Sequence, residues 1–102
     1  MDDYYETPMT ENQLKSKVLE AAYATGWLVE HHVQSNRRGS QGRGWPDLSM
    51  VRDGEVLFME LKQEHAGLSP YQKAVQAAMG GRLYHVIRPS DLDSGRVAEL
   101  LA

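Results

Sequence analysis

The sequence predicts an α/β fold: a single domain in which helices flank one mixed four-stranded sheet, in the order helix, three strands, helix, strand, helix. Three observations lead to this prediction. Asp53-Gly54 is the strongest short-range signal for a two-residue hairpin turn, and an apolar-rich run stands on each side of it. Capping signals at Thr10 and Ser69 precede stretches with apolar residues at helical spacing. The strand–helix–strand segment after the hairpin is a crossover unit, whose two strands are expected to be parallel.

The first helix is predicted to begin at Thr10, because Thr10 and Gln13 form a capping-box pattern. Gly26 is its expected end. Residues 27–33 are interpreted as a strand, and residues 34–45 as a loop of a length that is often functional or disordered. The buried stripe of the first helix is predicted to consist of Leu14, Val18, Ala21 and Ala22.

The hairpin is predicted to pair residues 47–52 with residues 55–62. With Asp53-Gly54 as the turn, the numbers of two facing residues always sum to 107, which places Asp47 opposite Glu60. Side chains alternate between the faces of a strand, so Lys62 lies on the same face as Glu60. That face also carries Val51, Val56 and Phe58, and the other carries Leu48, Met50, Leu57, Met59 and Leu61. Because both faces are partly apolar, we expect the sheet to be covered on both sides.

The second half of the chain is predicted to form a helix, a strand and a short helical segment. Ser69 is the expected cap of the helix, with Pro70 in its first position. Gly80-Gly81 ends this helix, and residues 83–87 form the fourth strand. The final segment begins at residues 90–93 and is interrupted near Gly95.

The bulk composition restricts the classes of function. The chain has 102 residues, which suits one domain over residues 10–102 behind a flexible arm of residues 1–9. The absence of cysteine excludes disulfides, thiolate zinc sites and thiol nucleophiles, and it fits the reducing cytoplasm. The sequence has no signal peptide and no apolar stretch of about 18 residues, so no membrane partner is expected. The net charge of −3 counts against a nucleic-acid partner, although residues 34–46 contain three arginines and no acid.

The opposed pair Asp47 and Glu60 points to a metal ion. Directly facing carboxylates have β-carbons about 4.5–5.5 Å apart. At about 5 Å and an effective dielectric near 20, their repulsion is on the order of 3 kcal/mol. A divalent cation between them would relieve this repulsion, and oxygen ligands suit Mg²⁺ or Mn²⁺. Together with Lys62 and the basic loop, this favours phosphodiester hydrolysis. The alternative is an acid–lysine cluster on the surface, worth about 0.2–1 kcal/mol.

Several motifs also resemble a known family. Pro46-Asp47, followed after a gap by Glu60-Leu61-Lys62, resembles the PD-(D/E)XK nuclease signature, and the predicted topology is similar to that superfamily's restriction-endonuclease-like core. Further matches are Gly44 before Trp45-Pro46-Asp47, the segment Leu68-Ser69-Pro70-Tyr71-Gln72, Gly26-Trp27 and Glu11. Together they resemble the VRR-NUC branch over roughly residues 10–92.

The resemblance implies a divalent-metal-dependent, structure-selective DNA endonuclease in the cytoplasm of a bacterial or phage-infected cell. Small stand-alone members resemble Holliday-junction resolvases and act as homodimers on branched DNA. It also implies a ligand set that includes the Leu61 backbone carbonyl, an additional acid at Glu11 and a site glutamine at Gln72. Lys62 would orient the attacking water or stabilise charge on the phosphate. The alternatives are a helix N-terminal acid for Glu11 and a solvated helix residue for Gln72.

Other residues have weaker assignments. The three loop arginines are expected to contact DNA phosphates rather than bases, with plain solubility as the alternative; they are Arg37, Arg38 and Arg43. His31 and His32 face opposite sides of a strand, where packing or surface roles are expected. Trp45 is interpreted first as a core or interface anchor and second as a base-stacking residue. Two rival functions remain: a monomeric nuclease for flaps or single strands, and a non-catalytic DNA-binding module.

Overall fold

The structure of the protein is a computed structural model that describes residues 8–32 and 44–102. It confirms the predicted order of elements, with the final helical segment divided into two short helices at Gly95. The helices are α1 (Glu11–Ala24), α2 (Pro70–Met79), α3 (Pro89–Asp93) and α4 (Arg96–Leu101). The strands are β1 (Leu28–His31), β2 (Leu48–Arg52), β3 (Glu55–Leu61) and β4 (Tyr84–Ile87).

The four strands form one mixed sheet, as predicted, and the structure gives their order as β1-β2-β3-β4. The β1–β2 and β2–β3 pairs are antiparallel, and the β3–β4 pair is parallel. Leu48 faces Met59 and Arg52 faces Glu55, which is the register that the turn predicts. Asp53 and Gly54 have φ values of 49° and 82°. Both lie in the left-handed region that a type I′ turn requires.

The hydrophobic core lies on one face of the sheet, beneath α1 and α4. Two side chains hold the end of α4 in place. The indole of Trp27, just before β1, donates to the Leu101 carbonyl at 3.0 Å, and the Arg52 guanidinium of β2 donates to the same carbonyl at 2.9 Å. The guanidinium also lies 4.4 Å from the Trp27 ring centroid. The buried core residues are Leu14, Val18, Ala22, Trp27, Leu48, Met50, Met59, Leu61, Ile87, Val97 and Leu101.

The opposite face is covered only in part, so the prediction of two covered faces is wrong at the hairpin end. There Leu28, Val51 and Val56 face one another across three strands and remain 72%, 45% and 39% exposed. A groove of about 470 Å³ lies over them. The reason is the course of α2, which joins the end of β3 to the start of β4. Only Gln72 and Val75 of this helix are buried, so α2 leaves β1 and β2 uncovered.

The connection between β3 and α2 is held by Arg88. Its Nη1 donates to the backbone carbonyls of Gln63, Glu64 and Ala66 at 2.7, 3.1 and 2.7 Å. The Glu64 carboxylate accepts from the Ser90 hydroxyl and N–H, and these two bonds lower the Glu64 pKa. The segment that begins just after Lys62 is therefore fixed to the start of α3.

Gly44 fixes the chain that leads into Asp47, and its replacement is expected to destabilise the fold. Its φ is +85°, and a β-carbon there would lie 2.7 Å from Cδ1 of Tyr71. A non-glycine residue in this region costs about 1–2 kcal/mol before the clash is counted. We expect Gly44→Ala to lower the thermal midpoint by roughly 4 °C or more. Gly81→Ala, in open space, is the control and should change little. A wild-type midpoint for Gly44→Ala would contradict this account.

Candidate active site

Residues from five elements and their connections line one pocket of about 300 Å³ on the partly covered face of the sheet. The pocket lies at the end of the sheet away from the Asp53-Gly54 turn. Three acids, two lysines, one histidine and one glutamine form its wall: Glu11, Asp47, Glu60, Lys15, Lys62, His32 and Gln72. The structure thus brings together the predicted side chains of Glu11, Asp47, Glu60, Lys62 and Gln72, and it adds Lys15 and His32.

The sheet register produces this arrangement. Asp47 immediately precedes β2, and the pairing of Leu48 with Met59 places it across from Glu60. On its other side, the Asp47 carbonyl accepts the His32 N–H at 2.7 Å, one position beyond the β1–β2 pairs. Three strands therefore contribute His32, Asp47 and Glu60 to one row.

The Asp47 carboxylate ends the hairpin ladder. Its Oδ2 accepts the Leu61 N–H at 2.8 Å, at a level where β2 has already ended. A backbone donor on β3 thereby acquires a partner, and the carboxylate is held against the strand that carries Glu60. Oδ1 is left for another ligand.

Glu60 is the most unusual residue of the site, because it is a carboxylate that is only 2% exposed. Its Oε2 accepts from Gln72 Nε2 at 3.1 Å and lies 3.9 Å from Lys62 Nζ. Its Oε1 is buried and has no hydrogen-bond partner among the described residues. Burial and, after it, the charge of Asp47 raise the pKa of Glu60 to about 8, against the opposing charge of Lys62.

Gln72 connects Glu60 to the start of α2. Its Oε1 accepts the Ser69 N–H at 2.9 Å, while the Ser69 hydroxyl accepts the Gln72 N–H at 3.1 Å, which completes a capping box. The amide nitrogen on the same side chain is then directed to Glu60. Gln72 is 6% exposed, so the alternative of a solvated helix residue is wrong.

Glu11 lies on the pocket wall without joining the two central acids. It is exposed at the first turn of α1, and its charge adds only the smallest contribution to the raised pKa of Glu60. Within residues 8–32 and 44–102, no three His, Asp or Glu side chains converge into a group that could hold a metal ion. The three-acid ligand set that includes Glu11 is therefore not assembled, although Asp47 and Glu60 face each other as predicted.

The two central acids nevertheless fit a hard divalent cation. Mg²⁺ is usually bound through one or two carboxylates, with waters and substrate phosphate oxygens completing its shell. Burial and Asp47, through its charge and a side-chain hydrogen bond, raise the pKa of Glu60 to about 8, so the metal-free protein keeps a proton there that a bound cation would replace. A cation held between Asp47 and Glu60 would satisfy Oε1 and relieve the repulsion between the two acids.

Sequence reasoning missed three residues of this region. Lys15 follows Glu11 by one helical turn, a spacing that would have identified it as a neighbour of the site. His32 could be identified only from the β1–β2 register. Tyr84 is 3% exposed, and its hydroxyl has no hydrogen-bond partner in the part of the chain that is described. Burial and the charges of Glu60 and Asp47 raise the pKa of Tyr84 to about 12.

Two further predictions concern the loop arginines and the membrane, not the pocket. Arg37, Arg38 and Arg43 lie outside the described residues, so their contacts with DNA stay a prediction. No helix in the described ranges is long and apolar enough to cross a membrane.

The raised pKa of Glu60 predicts how stability depends on pH. Between its ordinary value of 4.5 and about 8, the unfolded chain has released a proton that the folded protein retains. Stability falls with rising pH wherever the unfolded state binds fewer protons. In EDTA, the free energy of unfolding should therefore decline from about pH 4.5 to pH 8 and then level off.

Urea titrations across this pH range test the assignment. Glu60→Gln has no carboxyl group to titrate, so its curve should lack this part of the decline. Glu55→Gln, an exposed acid on the same strand, is the control and should follow wild type. Parallel curves for wild type and Glu60→Gln would contradict the assignment.

Comparisons of the chain with protein-family models, with curated proteins and with solved structures found no match. The resemblance to the VRR-NUC nucleases therefore rests on the motifs and on the arrangement of their side chains.

Proposed function

We propose that the protein is a divalent-metal-dependent DNA endonuclease with a nuclease-type core, and that it hydrolyses phosphodiester bonds in branched DNA. The observation that carries the proposal is Glu60, a buried carboxylate with one unpartnered oxygen that faces a second carboxylate, Asp47, beside Lys62. A surface acid–lysine cluster does not account for this, because Glu60 is almost completely removed from solvent.

Each central side chain has a definite task in this proposal. Asp47 and Glu60 hold the metal ion, with the Leu61 carbonyl as a further proposed ligand. When bound, Mg²⁺ or Mn²⁺ supplies a water of lowered pKa and neutralises charge on the scissile phosphate. Gln72 keeps Oε2 of Glu60 occupied, which leaves Oε1 for the ion. Lys62 is free to orient the attacking water or to stabilise charge on the phosphate, since its nearest approach to Glu60 is 3.9 Å.

The proposed partners are branched DNA, such as a Holliday junction, and a second copy of the chain. Symmetric cutting of two strands requires two active sites, and two-fold dimers are the commonest oligomers. The exposed row of Leu28, Val51 and Val56 is the proposed centre of the dimer contact. A two-fold contact uses the same patch on both copies, and the groove over this row carries both signs of charge, from Arg52 and Glu55.

Cleavage of labelled junction, flap, single-stranded and duplex DNA, with Mg²⁺ or Mn²⁺ and with EDTA, tests the central claim. Asp47→Asn and Glu60→Gln should each abolish cleavage, because either change removes one of the two charges that hold the ion. Glu20→Gln, which changes an exposed acid on α1 that does not line the pocket, should cut like wild type. Wild-type-like cutting by either site variant would contradict the assignment. Metal-dependent DNA binding without any cleavage by the wild type would favour a non-catalytic DNA-binding module instead.

Lys62→Ala should separate chemistry from metal binding. An ammonium repels a cation, so this variant should bind Mn²⁺ at least as tightly as wild type in calorimetry. Its single-turnover cleavage rate should fall by about 10²–10³, the scale for loss of one positioned donor in a transition state. Lys62→Arg should recover little, because a planar guanidinium does not replace a compact ammonium. Weakened Mn²⁺ binding with a normal rate at saturating metal would show that Lys62 has no role in the chemistry.

Sedimentation equilibrium tests the dimer. Val51→Glu adds a charge at the middle of the exposed row and should shift the protein to monomer. Tyr23→Glu, which changes a residue that is 55% exposed on α1, should leave the assembly unchanged. A monomeric wild type would refute the dimer and favour a monomeric flap or single-strand nuclease. A dimer that persists in Val51→Glu would place the contact elsewhere.

A further inference from the structure

Exposed aromatic rings border the candidate active site on the side of Asp47 and Gln72. Trp45, two residues before Asp47, is 38% exposed, and Tyr71, the residue before Gln72, is 54% exposed. Tyr71 packs against the backbone of Gly44, which immediately precedes Trp45. The two rings thus belong to the two chain segments that deliver Asp47 and Gln72 to the pocket.

Trp45 is held in place although it is exposed. Its indole meets the Phe58 ring edge to face, with centroids 5.9 Å apart and an interplanar angle of 84°. The His32 ring, which lines the pocket, lies 6.5 Å away and is tilted by 54°. Gly44 on the N-terminal side cannot accept a β-carbon without meeting Tyr71. A large aromatic side chain that is held at a pocket rim and yet exposed is a preorganised contact surface.

We propose that Trp45 stacks on an unpaired nucleobase next to the scissile phosphate, and that this contact makes the nuclease selective for branched or single-stranded positions. The inference rests on the proposed function and deepens it by assigning the feature of the substrate that is recognised. An indole N–H could donate to a backbone phosphate, but that contact is available on duplex and single-stranded DNA alike and gives no selectivity. Bases inside a duplex present no free face. Only an unpaired base offers a face that an aromatic ring can stack on without regard to sequence.

The lysines of the pocket suit the phosphate that is attached to the stacked base. Lys62 and Lys15 line the same pocket as His32, so a phosphate in the pocket lies beside the ring pair of His32 and Trp45. Among the described residues, no carboxylate forms an ion pair with Lys15. With a metal ion offsetting Asp47 and Glu60, as proposed, the two lysines suit the pocket to a phosphate, and Trp45 at its rim is available to the attached base.

Fluorescence anisotropy with Ca²⁺ in place of Mg²⁺ tests the proposal on uncut DNA. The two probes are a nicked duplex and the same duplex with a short single-stranded flap at the nick. Trp45→Ala should bind the flap about tenfold more weakly, which corresponds to about 1.4 kcal/mol and lies in the range for one base stacked on an aromatic side chain. Its affinity for the nicked duplex should stay near wild type. Trp45→Phe should retain most of the preference for the flap, since it keeps a ring.

The matched control is Tyr23→Ala. Tyr23 is also exposed on α1, but it lies eight residues beyond Lys15, or about 12 Å along the helix, and does not line the pocket. It should bind both probes like wild type. As a direct readout, 2-aminopurine at the first unpaired position should be quenched by wild type and not by Trp45→Ala.

The outcomes separate this inference from the proposed function. If the wild type cuts branched DNA in Mg²⁺ and Trp45→Ala keeps the full preference for the flap, the stacking proposal is wrong and the nuclease stands. An equal loss on both probes, or a change of oligomeric state in Trp45→Ala, would also overturn stacking and would assign Trp45 to folding or to the dimer contact. If the wild type neither binds nor cuts any of these DNAs, both proposals fail.

Discussion

The two-residue turn at Asp53-Gly54 sets the register on which the rest of the site depends. Both residues have positive φ, and the strands on either side pair outward from them without a bulge. A slip of one residue would turn Glu60 toward the core and Met59 toward the pocket, because alternate side chains point to opposite faces. The apolar alternation of β2 and β3 opposes such a slip, so the burial of the core and the meeting of Asp47 with Glu60 follow from the same pairing.

The capping box of α2 has a similar double role. Gln72 caps the helix through its Oε1 and its backbone N–H, and through Nε2 it holds the buried carboxylate of Glu60. The helix is thereby attached to the sheet at a charged residue rather than through a broad apolar contact. This explains why only Gln72 and Val75 of α2 are buried, and why the hairpin end of this face remains open with Leu28, Val51 and Val56 exposed.

Local signals in the sequence are enough to predict the element order, the capping box of α1, the Ser69 cap of α2, the hairpin register and the facing acids. Each of these depends on residues a few positions apart or joined by a two-residue turn. The β1–β2 register was not predictable, because a long connection between strands leaves the pairing free. His32 was therefore assigned to packing or surface, although it lines the pocket. The apolar residues on the second face predict that it is covered, but periodicity does not show whether a ten-residue helix is long enough to cover four strands.

The net charge of −3 counts against a DNA partner only for the metal-free chain. Asp47, Glu60 and Glu11 line one pocket, so part of the negative charge of the protein lies where the scissile phosphate is proposed to bind. A divalent ion held by Asp47 and Glu60 would add two positive charges in the pocket, against a net charge of −3 for the whole chain. Metal ion and DNA would then each raise the affinity for the other, since coupling between two binding sites is reciprocal. Asp47 and, above about pH 8, Glu60 oppose DNA binding in the metal-free protein. With the ion bound, the same two acids would help to attach the DNA, so an acidic chain and a phosphodiester substrate are compatible.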